Sequence, residues 1–324
     1  MRRFFITLLT IIFIFPLISE ADSEADSEAD SEGTWVKRSP APIKRTESSA
    51  ALVGNKIYVL GGFTPKGISR NVDVWDLQSS TWSRIIPLPR GLHHTTASAV
   101  DGKLYVIGGF GSATWRPTNV NYEYDPETHR WTLKAPMPTA RGALAAGVVN
   151  GKIHLVGGAH RKLFNLVNTH AHEVYDPKTD SWETLAPIPT ARDHLAVSVI
   201  GNKLHAIGGR VDVDYNNNLN THEAYDAKNN KWHLYAPLPT ARSGITSQVM
   251  NGLIHVFGGE SGKGTFVDNE AYNPSTDEWK TYNAMPLGLH GLASVVWKNQ
   301  IHILTGGPKP GGGGSNTHLI FKLN

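Results

Sequence analysis

Residues 172–209 read HEVYDPKTDSWETLAPIPTARDHLAVSVIGNKLHAIGG, and the same order of residues recurs along the chain of 324 residues. The stretch contains a Tyr-Asp pair at Tyr175, a tryptophan at Trp182, a proline-rich segment ending at Arg192 and a Gly-Gly pair at Gly208. Gly-Gly pairs recur about every 50 residues, a period typical of stacked supersecondary units. The six pairs are Gly61-Gly62, Gly108-Gly109, Gly157-Gly158, Gly208-Gly209, Gly258-Gly259 and Gly306-Gly307.

Two aromatic columns run in step with the glycine pairs. The first contains Trp35, Trp82, Trp131, Trp182, Trp232 and Trp279. The second contains Trp75, Tyr124, Tyr175, Tyr225 and Tyr272, each followed by Asp or Asn. The residues that lead into the glycine pairs, such as 56–60 and 103–107, alternate with period two and are rich in branched side chains, which is typical of strands. Each repeat is therefore predicted to contain several strands joined by turns.

This order of residues resembles the kelch repeat: Gly-Gly, then Tyr-Asp-Pro, then Trp, then Pro-x-Pro-x-x-Arg. The resemblance implies an all-β fold, a six-bladed β-propeller whose blades are four-stranded antiparallel sheets. Stacking the blades around an axis buries the faces that one blade alone would leave exposed. The aromatic columns are then expected to fill the space between neighbouring sheets.

The two ends of the repeat region are complementary. Trp35 has no Gly-Gly pair before it, and the sixth pair is followed by residues 318–324 without a tryptophan. We therefore expect the strand around Trp35 to form the outer strand of the C-terminal blade. This arrangement closes the ring and removes free strand edges.

The N-terminal residues predict export. Arg2 and Arg3 precede an apolar run over residues 4–15, as in a secretory signal peptide. We assign residues 1–21 to that peptide, residues 22–32 to an acidic low-complexity linker and residues 33–324 to the propeller, and we expect a secreted or periplasmic protein. An uncleaved membrane anchor stays open as an alternative, because the cleavage site is not a clean Ala-x-Ala.

Composition excludes several classes of partner and site. The chain has no cysteine, so disulfides are excluded, and its net charge of +3 is spread along the repeats. No basic run marks a nucleic-acid surface, and nucleic acid is not an expected partner. We expect a monomer.

The loops after the glycine pairs vary in length and lie on the face of the Pro-x-Pro-x-x-Arg connections, which makes this face the predicted binding face. The residues sixteen positions before the glycine pairs are Arg45, Leu92, Arg141, Arg192, Arg242 and His290. In kelch proteins similar to this one, such arginines reach into the cavity and hold the carboxylates of a bound peptide, a pairing that suits the guanidinium fork. The alternative is that they pair structurally with acids in adjacent blades, such as Glu173, Glu223 or Glu270.

Other ionisable residues of this rim break the sixfold pattern, as a single specific ligand requires. The additional predicted binding residues are Glu47, His94, His194, Arg210, Glu260 and the loop aromatic Trp115. Together they favour a module that binds a protein or a glycan at the mouth of the central cavity. The alternative is a sugar mutarotase of the sialic acid kelch type, in which Arg192 or Arg242 holds a carboxylate while Glu47, Glu260 or His194 moves protons.

The plentiful histidines are mostly expected to be structural. His154, His205, His255 and His302 occupy the strand column that Tyr58 and Tyr105 hold in the first two repeats. His93, His94, His194 and His290 could converge in space on a metal, although nothing in their local spacing demands it. No nucleophile elbow, phosphate loop or zinc-protease motif is present. The sequence therefore predicts no metal and no cofactor.

Overall fold

The computed structural model describes residues 32–323 and shows six four-stranded antiparallel sheets arranged in a ring. The predicted export segment and most of the predicted linker lie outside the described residues. Within the described range all regular elements are strands, and no helix is long and apolar enough to cross a membrane.

The blades are numbered in chain order, each from its innermost strand outward. Blade 1 contains Ser49–Val53, Lys56–Leu60, Val72–Asp76 and Thr81–Ile85; blade 2 contains Thr96–Val100, Lys103–Ile107, Asn121–Asp125 and Arg130–Leu133; blade 3 contains Ala145–Val149, Lys152–Val156, His172–Asp176 and Ser181–Thr184. Blade 4 contains Ala196–Ile200, Lys203–Ile207, His222–Asp226 and Lys231–Leu234; blade 5 contains Thr246–Met250, Leu253–Phe257, Asn269–Asn273 and Glu278–Tyr282; blade 6 contains Ala293–Trp297, Gln300–Leu304, His318–Lys322 and Thr34–Lys37. Three short hairpins rise from the loops after the second strands: Phe63–Thr64 with Gly67–Ile68, Ala159–Lys162 with Asn165–Asn168, and Glu260–Ser261 with Gly264–Thr265.

The ring closes through the N-terminal strand, as the sequence predicts. Thr34–Lys37 pairs antiparallel with His318–Lys322, and Trp35 lies opposite Phe321. The innermost strands of blades 1 and 6 also contact each other, so every blade has two neighbours. This closure covers the edge of His318–Lys322 that the C-terminal strands alone would leave unpaired.

The tryptophan column links each blade to the blade before it. Trp182, Trp232 and Trp35 donate their indole N–H groups to backbone carbonyls of the preceding blades, over 2.8, 2.9 and 2.9 Å. The tyrosine column is buried inside the sheets, and Tyr175 donates its hydroxyl proton to Asp180 over 2.6 Å. Aromatic packing and these hydrogen bonds together fix the angle between neighbouring blades.

The sixth repeat is shifted by one residue relative to its glycine pair. Thr305 has φ 59° and donates its N–H to Thr317, as Gly108 with φ 69° donates to Val120 in blade 2. Thr305-Gly306 therefore takes the place of Gly-Gly, although positive φ is rare for a β-branched residue. Counting back sixteen residues then gives Leu289, not His290, which corrects the predicted alignment of His290 with the arginines.

Candidate ligand-binding site

The four repeated arginines do not line the cavity. Arg45, Arg141, Arg192 and Arg242 are all 0 % exposed and pair with Asp73, Glu173, Glu223 and Glu270 respectively. Arg192 also donates to the carbonyl oxygens of Gly208, Thr190 and Ala206 over 2.8, 2.9 and 2.9 Å. These contacts correct the expectation that the arginines reach the cavity, because each guanidinium is fully buried and pairs with a carboxylate of its own blade.

The acid that holds each arginine lies on the third strand of the blade that the arginine precedes. In blades 2 and 6 the arginine position holds Leu92 and Leu289, and the acid position holds Tyr122 and Leu319. Arginine and acid are therefore present together or replaced together. This pattern supports the structural alternative for the arginines, with partners in the same blade and not, as the sequence suggested, in adjacent blades.

A closed ring of backbone hydrogen bonds surrounds the top of the central channel. It joins the equivalent residue of each blade, and we call these six residues the axial belt: Glu47, His94, Ala143, His194, Gly244 and Gly291. Each N–H donates to the carbonyl of the preceding member, over 2.8 to 3.1 Å. All six have positive φ, between 51° and 66°. Such a backbone suits glycine, so the three large side chains in it are notable.

The belt forms the floor of a cavity of about 840 Å³, which we call the axial cavity. Its floor is lined by Glu47, His94, His194, Arg210, Glu260 and His290. These are six of the predicted binding residues, contributed by five blades, and the structure brings them together. His290 joins them from the connection before blade 6, one position after the place of the arginines.

Charged groups on the floor are connected to each other. Arg210 donates to Asp193 and Glu260, over 3.0 Å in each case. His290 Nδ1 lies 3.1 Å from Glu47 Oε1 and 3.3 Å from Glu260 Oε2. Three carboxylates thus face one guanidinium and three imidazoles, those of His94, His194 and His290, and the permanent charges on the floor are mostly negative.

The surroundings shift the pKa values of these groups. Burial lowers the pKa of His94 well below its ordinary value, although Glu47 opposes this effect. Burial alone would raise the pKa of Glu47, but His94, His290 and His194 outweigh it and hold this pKa well below its ordinary value. Burial would lower the pKa of His290, yet Glu47 and Glu260 raise it overall. The floor at neutral pH therefore contains a carboxylate at Glu47.

Aromatic side chains form part of the wall above this floor. Trp115, a predicted binding residue, packs against His94 and Phe63 with ring centroids 4.6 and 6.2 Å apart. On another side of the cavity, Tyr215 lies 5.9 Å from the guanidinium of Arg210. The glycine-rich loop 311–314 completes the wall, and Gly311 donates its N–H to Glu260 over 2.7 Å.

Several contributors to the site were not among the predicted binding residues. Asp193 orients His194 and Arg210 from beneath the floor, and it accepts a hydrogen bond from Asn168 of the Ala159–Asn168 hairpin.

The one-residue shift at Thr305 had a signal in the sequence, since His302 stands three residues before Thr305 just as His255 stands three before Gly258. The belt had no such signal, because its partners come from different repeats.

Comparisons with known proteins agree with this architecture. The model of the Attractin/LZTR1 beta-propeller family matches residues 26–263, and the Kelch motif matches residues 241–286. Kelch-like protein 4 of Homo sapiens is 54% identical over 37 residues, which are 11% of this chain and 5% of that protein. Kelch-like protein 1 of Mus musculus is 43% identical over 47 residues, 14% of this chain and 6% of that protein. The matches thus span only a small part of these relatives.

A solved structure, that of YjhT, superposes with a TM-score of 0.78 over 88% of this chain and 96% of that chain, at 19% identity. Identity at this level shows a shared fold and nothing finer. The family match, in contrast, covers most of the sequence and all the repeats up to the fifth glycine pair. The chain therefore belongs to the Attractin/LZTR1 beta-propeller family and is built from kelch repeats.

Proposed function

We propose that the axial cavity binds a glycan, either a free sugar or the end of a longer chain. The observation that carries the proposal is the combination of an ionisable floor with an aromatic wall in one concave site. Sugars present apolar ring faces that pack on aromatic side chains and hydroxyl groups that exchange hydrogen bonds with polar ones.

The size of the cavity supports a small ligand. Its volume of about 840 Å³ lies within the usual range of roughly 300 to 1,000 Å³ for small-molecule sites. A protein partner would instead be expected to contact a flatter surface. The floor residues are held by a rigid belt, so the site is largely formed before any ligand arrives.

Charge favours a neutral sugar over a sugar acid. The carboxylates of Glu47, Glu260 and Asp193 outnumber the cations beside them, and Arg210 is already bonded to two of the three. Arg192 and Arg242 are buried in their blades. The carboxylate clamp on which a sialic acid mutarotase would depend thus has no support in these arginines.

A glycan array probed with the purified chain tests the proposal. We expect binding to neutral glycans, lost in a Trp115→Ala variant and retained in Phe164→Ala. Phe164 is a matched control because it is an aromatic residue on the same face but 90% exposed at a hairpin tip, outside the cavity. Absence of glycan binding by the wild-type chain, or equal binding by both variants, would contradict the proposal.

One observation favours a protein ligand as a second candidate. Leu163 and Phe164 at the tip of the Ala159–Asn168 hairpin are 85% and 90% exposed, a costly arrangement for large apolar side chains in water. In a pull-down with the chain as bait, protein capture lost in Phe164→Ala and kept in Trp115→Ala would support this second candidate instead.

The place of action is a further proposal. We propose that the chain is exported, on the basis of Arg2, Arg3 and the apolar run that follows. Intact-mass measurement on the exported protein is expected to show loss of about the first 19 to 21 residues. A full-length mass in the membrane fraction would establish an anchor.

A further inference from the structure

We propose that Glu47, His94 and His194 bind one divalent transition-metal ion, with zinc as the best fit, at the floor of the axial cavity. The inference goes beyond ligand binding in the cavity and does not depend on which ligand binds there. The three donor atoms lie within 4.8 Å of one another, and the three residues are buried or nearly so.

The fold holds these three residues close together. They occupy equivalent belt positions in the connections that precede blades 1, 2 and 4, and the other three positions hold Ala143, Gly244 and Gly291. Large side chains thus stand only where they converge, and small residues leave room between them. The belt hydrogen bonds fix all three Cα positions, which is the preorganisation that a metal site requires.

The hydrogen bonds of His194 identify the ring nitrogen that carries its lone pair. Arg210 Nη2 lies 3.1 Å from His194 Nε2, and arginine can only donate. Nε2 must therefore carry a lone pair, and Nδ1 carries the proton that it donates to Asp193. A carboxylate that orients a histidine in this way is the usual second partner of a metal-binding imidazole.

His94 also carries its lone pair on Nε2, because of its contact with His93. His93 Nε2 lies 3.1 Å from the carbonyl oxygen of Ser112, which only accepts, so this nitrogen carries the proton. A neutral His93 then accepts at Nδ1, 2.6 Å from His94 Nδ1, and His94 must donate there. The lone pair of His94 is left on Nε2.

This lone pair lies 3.2 Å from Glu47 Oε2, so two acceptors face each other in a buried site. Such a contact is unfavourable unless a cation lies between them. A metal ion relieves it, and so does a single extra proton. The surplus of carboxylates on the floor favours a cation of either kind.

The donor set points to zinc or a similar ion. Two imidazole nitrogens and one carboxylate form a common catalytic zinc set, with bonds of about 2.0 to 2.2 Å and one position open to water or substrate. Two such bonds span at most about 4.4 Å, so the side chains would need to close slightly. Arg210 would release His194 and keep its bonds to Asp193 and Glu260.

Titration of the metal-free chain with Co²⁺, followed by displacement with Zn²⁺, tests the proposal. We expect one equivalent of Co²⁺ to bind and to give the visible absorption of a low-coordinate His and carboxylate site. His94→Ala and His194→Ala are expected to weaken binding at least tenfold. The belt already holds alanine at Ala143, so these variants are expected to fold, and thermal melting checks that they do.

His160→Ala is the control, because His160 lies on the Ala159–Lys162 strand and belongs neither to the lining of the axial cavity nor to the donor group. A second variant, His93→Phe, keeps the ring shape but removes the partner of His94, and it is expected to weaken the metal by about 10- to 100-fold. Failure of the wild type to bind Co²⁺ or Zn²⁺ stoichiometrically, or equal binding by His94→Ala and His160→Ala, would overturn the proposal in favour of a shared proton. Because the titration contains no sugar, its outcome is independent of the glycan test.

Discussion

At the scale of single residues, Arg192 shows how a charge is kept inside a blade. Its guanidinium is fully buried, pairs with Glu223 and donates to three backbone carbonyls. Thr190 donates its hydroxyl proton to the second oxygen of Glu223 over 2.8 Å. Every side-chain nitrogen of Arg192 and both carboxylate oxygens of Glu223 therefore have a hydrogen-bond partner, and such pairing is what allows a buried ion pair to be tolerated.

Truncation of this residue is expected to destabilise the protein strongly. Arg192→Ala leaves Glu223 buried and unpaired, a change that typically costs about 3 to 5 kcal/mol. Chemical denaturation should place it near Tyr175→Ala, since loss of a large, fully buried aromatic costs a similar amount. Arg130→Ala on an exposed site is the control and should stay within about 0.5 kcal/mol of wild type. An Arg192→Ala protein as stable as this control would contradict the structural assignment.

At the scale of the element, the arginine and its acid form a unit that a blade can exchange for apolar side chains. Blade 6 has Leu289 and Leu319 where blade 4 has Arg192 and Glu223. Both leucines are buried, so the sheet packs with either pair. Blades 4 and 6 therefore differ at both positions, as a wild-type protein differs from its double mutant.

Copying blade 6 into blade 4 is therefore expected to rescue stability. The double variant Arg192→Leu/Glu223→Leu should be more stable than either single variant, because replacement of a whole buried ion pair by apolar groups is often neutral. Urea denaturation of the four proteins gives the coupling energy. Additive losses, with the double variant the least stable, would show that the two residues do not act as a pair.

The elements also show what the sequence predicts and what it does not. Strands, glycine pairs and closure through Trp35 are predictable, because each depends on a local pattern or on a missing half-repeat. The burial of Arg192 is less predictable, since its position in the repeat identifies its blade but not the direction of its side chain. The axial belt is not predictable at all from one repeat, because His194 bonds to Ala143 and Gly244 of neighbouring repeats.

At the scale of the whole molecule, stability depends on closing the ring. Trp35 packs against Phe321 and Phe257, with ring centroids 5.0 and 5.7 Å apart, and donates to the carbonyl of Asn283 in blade 5. This residue therefore joins the first strand of the chain to its last two blades.

Trp35→Ala is expected to lower the stability of the entire propeller by about 3 to 5 kcal/mol. Removal of residues 33–38 should have a larger effect, because it also exposes a strand edge that invites association. Thermal melting with light scattering measures both outcomes. A truncated protein that stayed monomeric and melted like wild type would rule out closure through this strand.

Buried histidines on the second and third strands of the blades make the stability of the molecule sensitive to acid. Burial lowers the pKa of His172 and His205 to about 3 and that of His154 and His222 to about 4, with lysine or histidine neighbours adding to the effect for His154, His172 and His205. The unfolded chain takes up these protons near pH 6.5, so stability is full above that pH and falls as the pH drops toward 4. Each histidine with a folded pKa of about 4 contributes about 3 kcal/mol of this loss at pH 4.

Denaturation between pH 7.5 and 4.5 is expected to show this loss, and a matched variant should reduce it. His205→Tyr/His222→Asn copies Tyr105 and Asn121 of blade 2. Asn121 donates to the carbonyl of Ala135, as His222 donates to that of Ala236, so the hydrogen bond is kept without the titrating ring. A variant whose stability fell with pH as steeply as wild type would show that these histidines are not responsible.

We propose that the ligand occupies the axial cavity, above the axial belt that contains Glu47, His94 and His194. The most direct measurement is a crystal structure of the chain soaked with the strongest ligand from the glycan array. We predict density for a sugar ring beside Trp115, with hydroxyl groups within hydrogen-bond distance of Glu47 or Glu260. A sugar bound only at the hairpin tip around Phe164 or on the outer strands, with the axial cavity filled by water alone, would contradict the account.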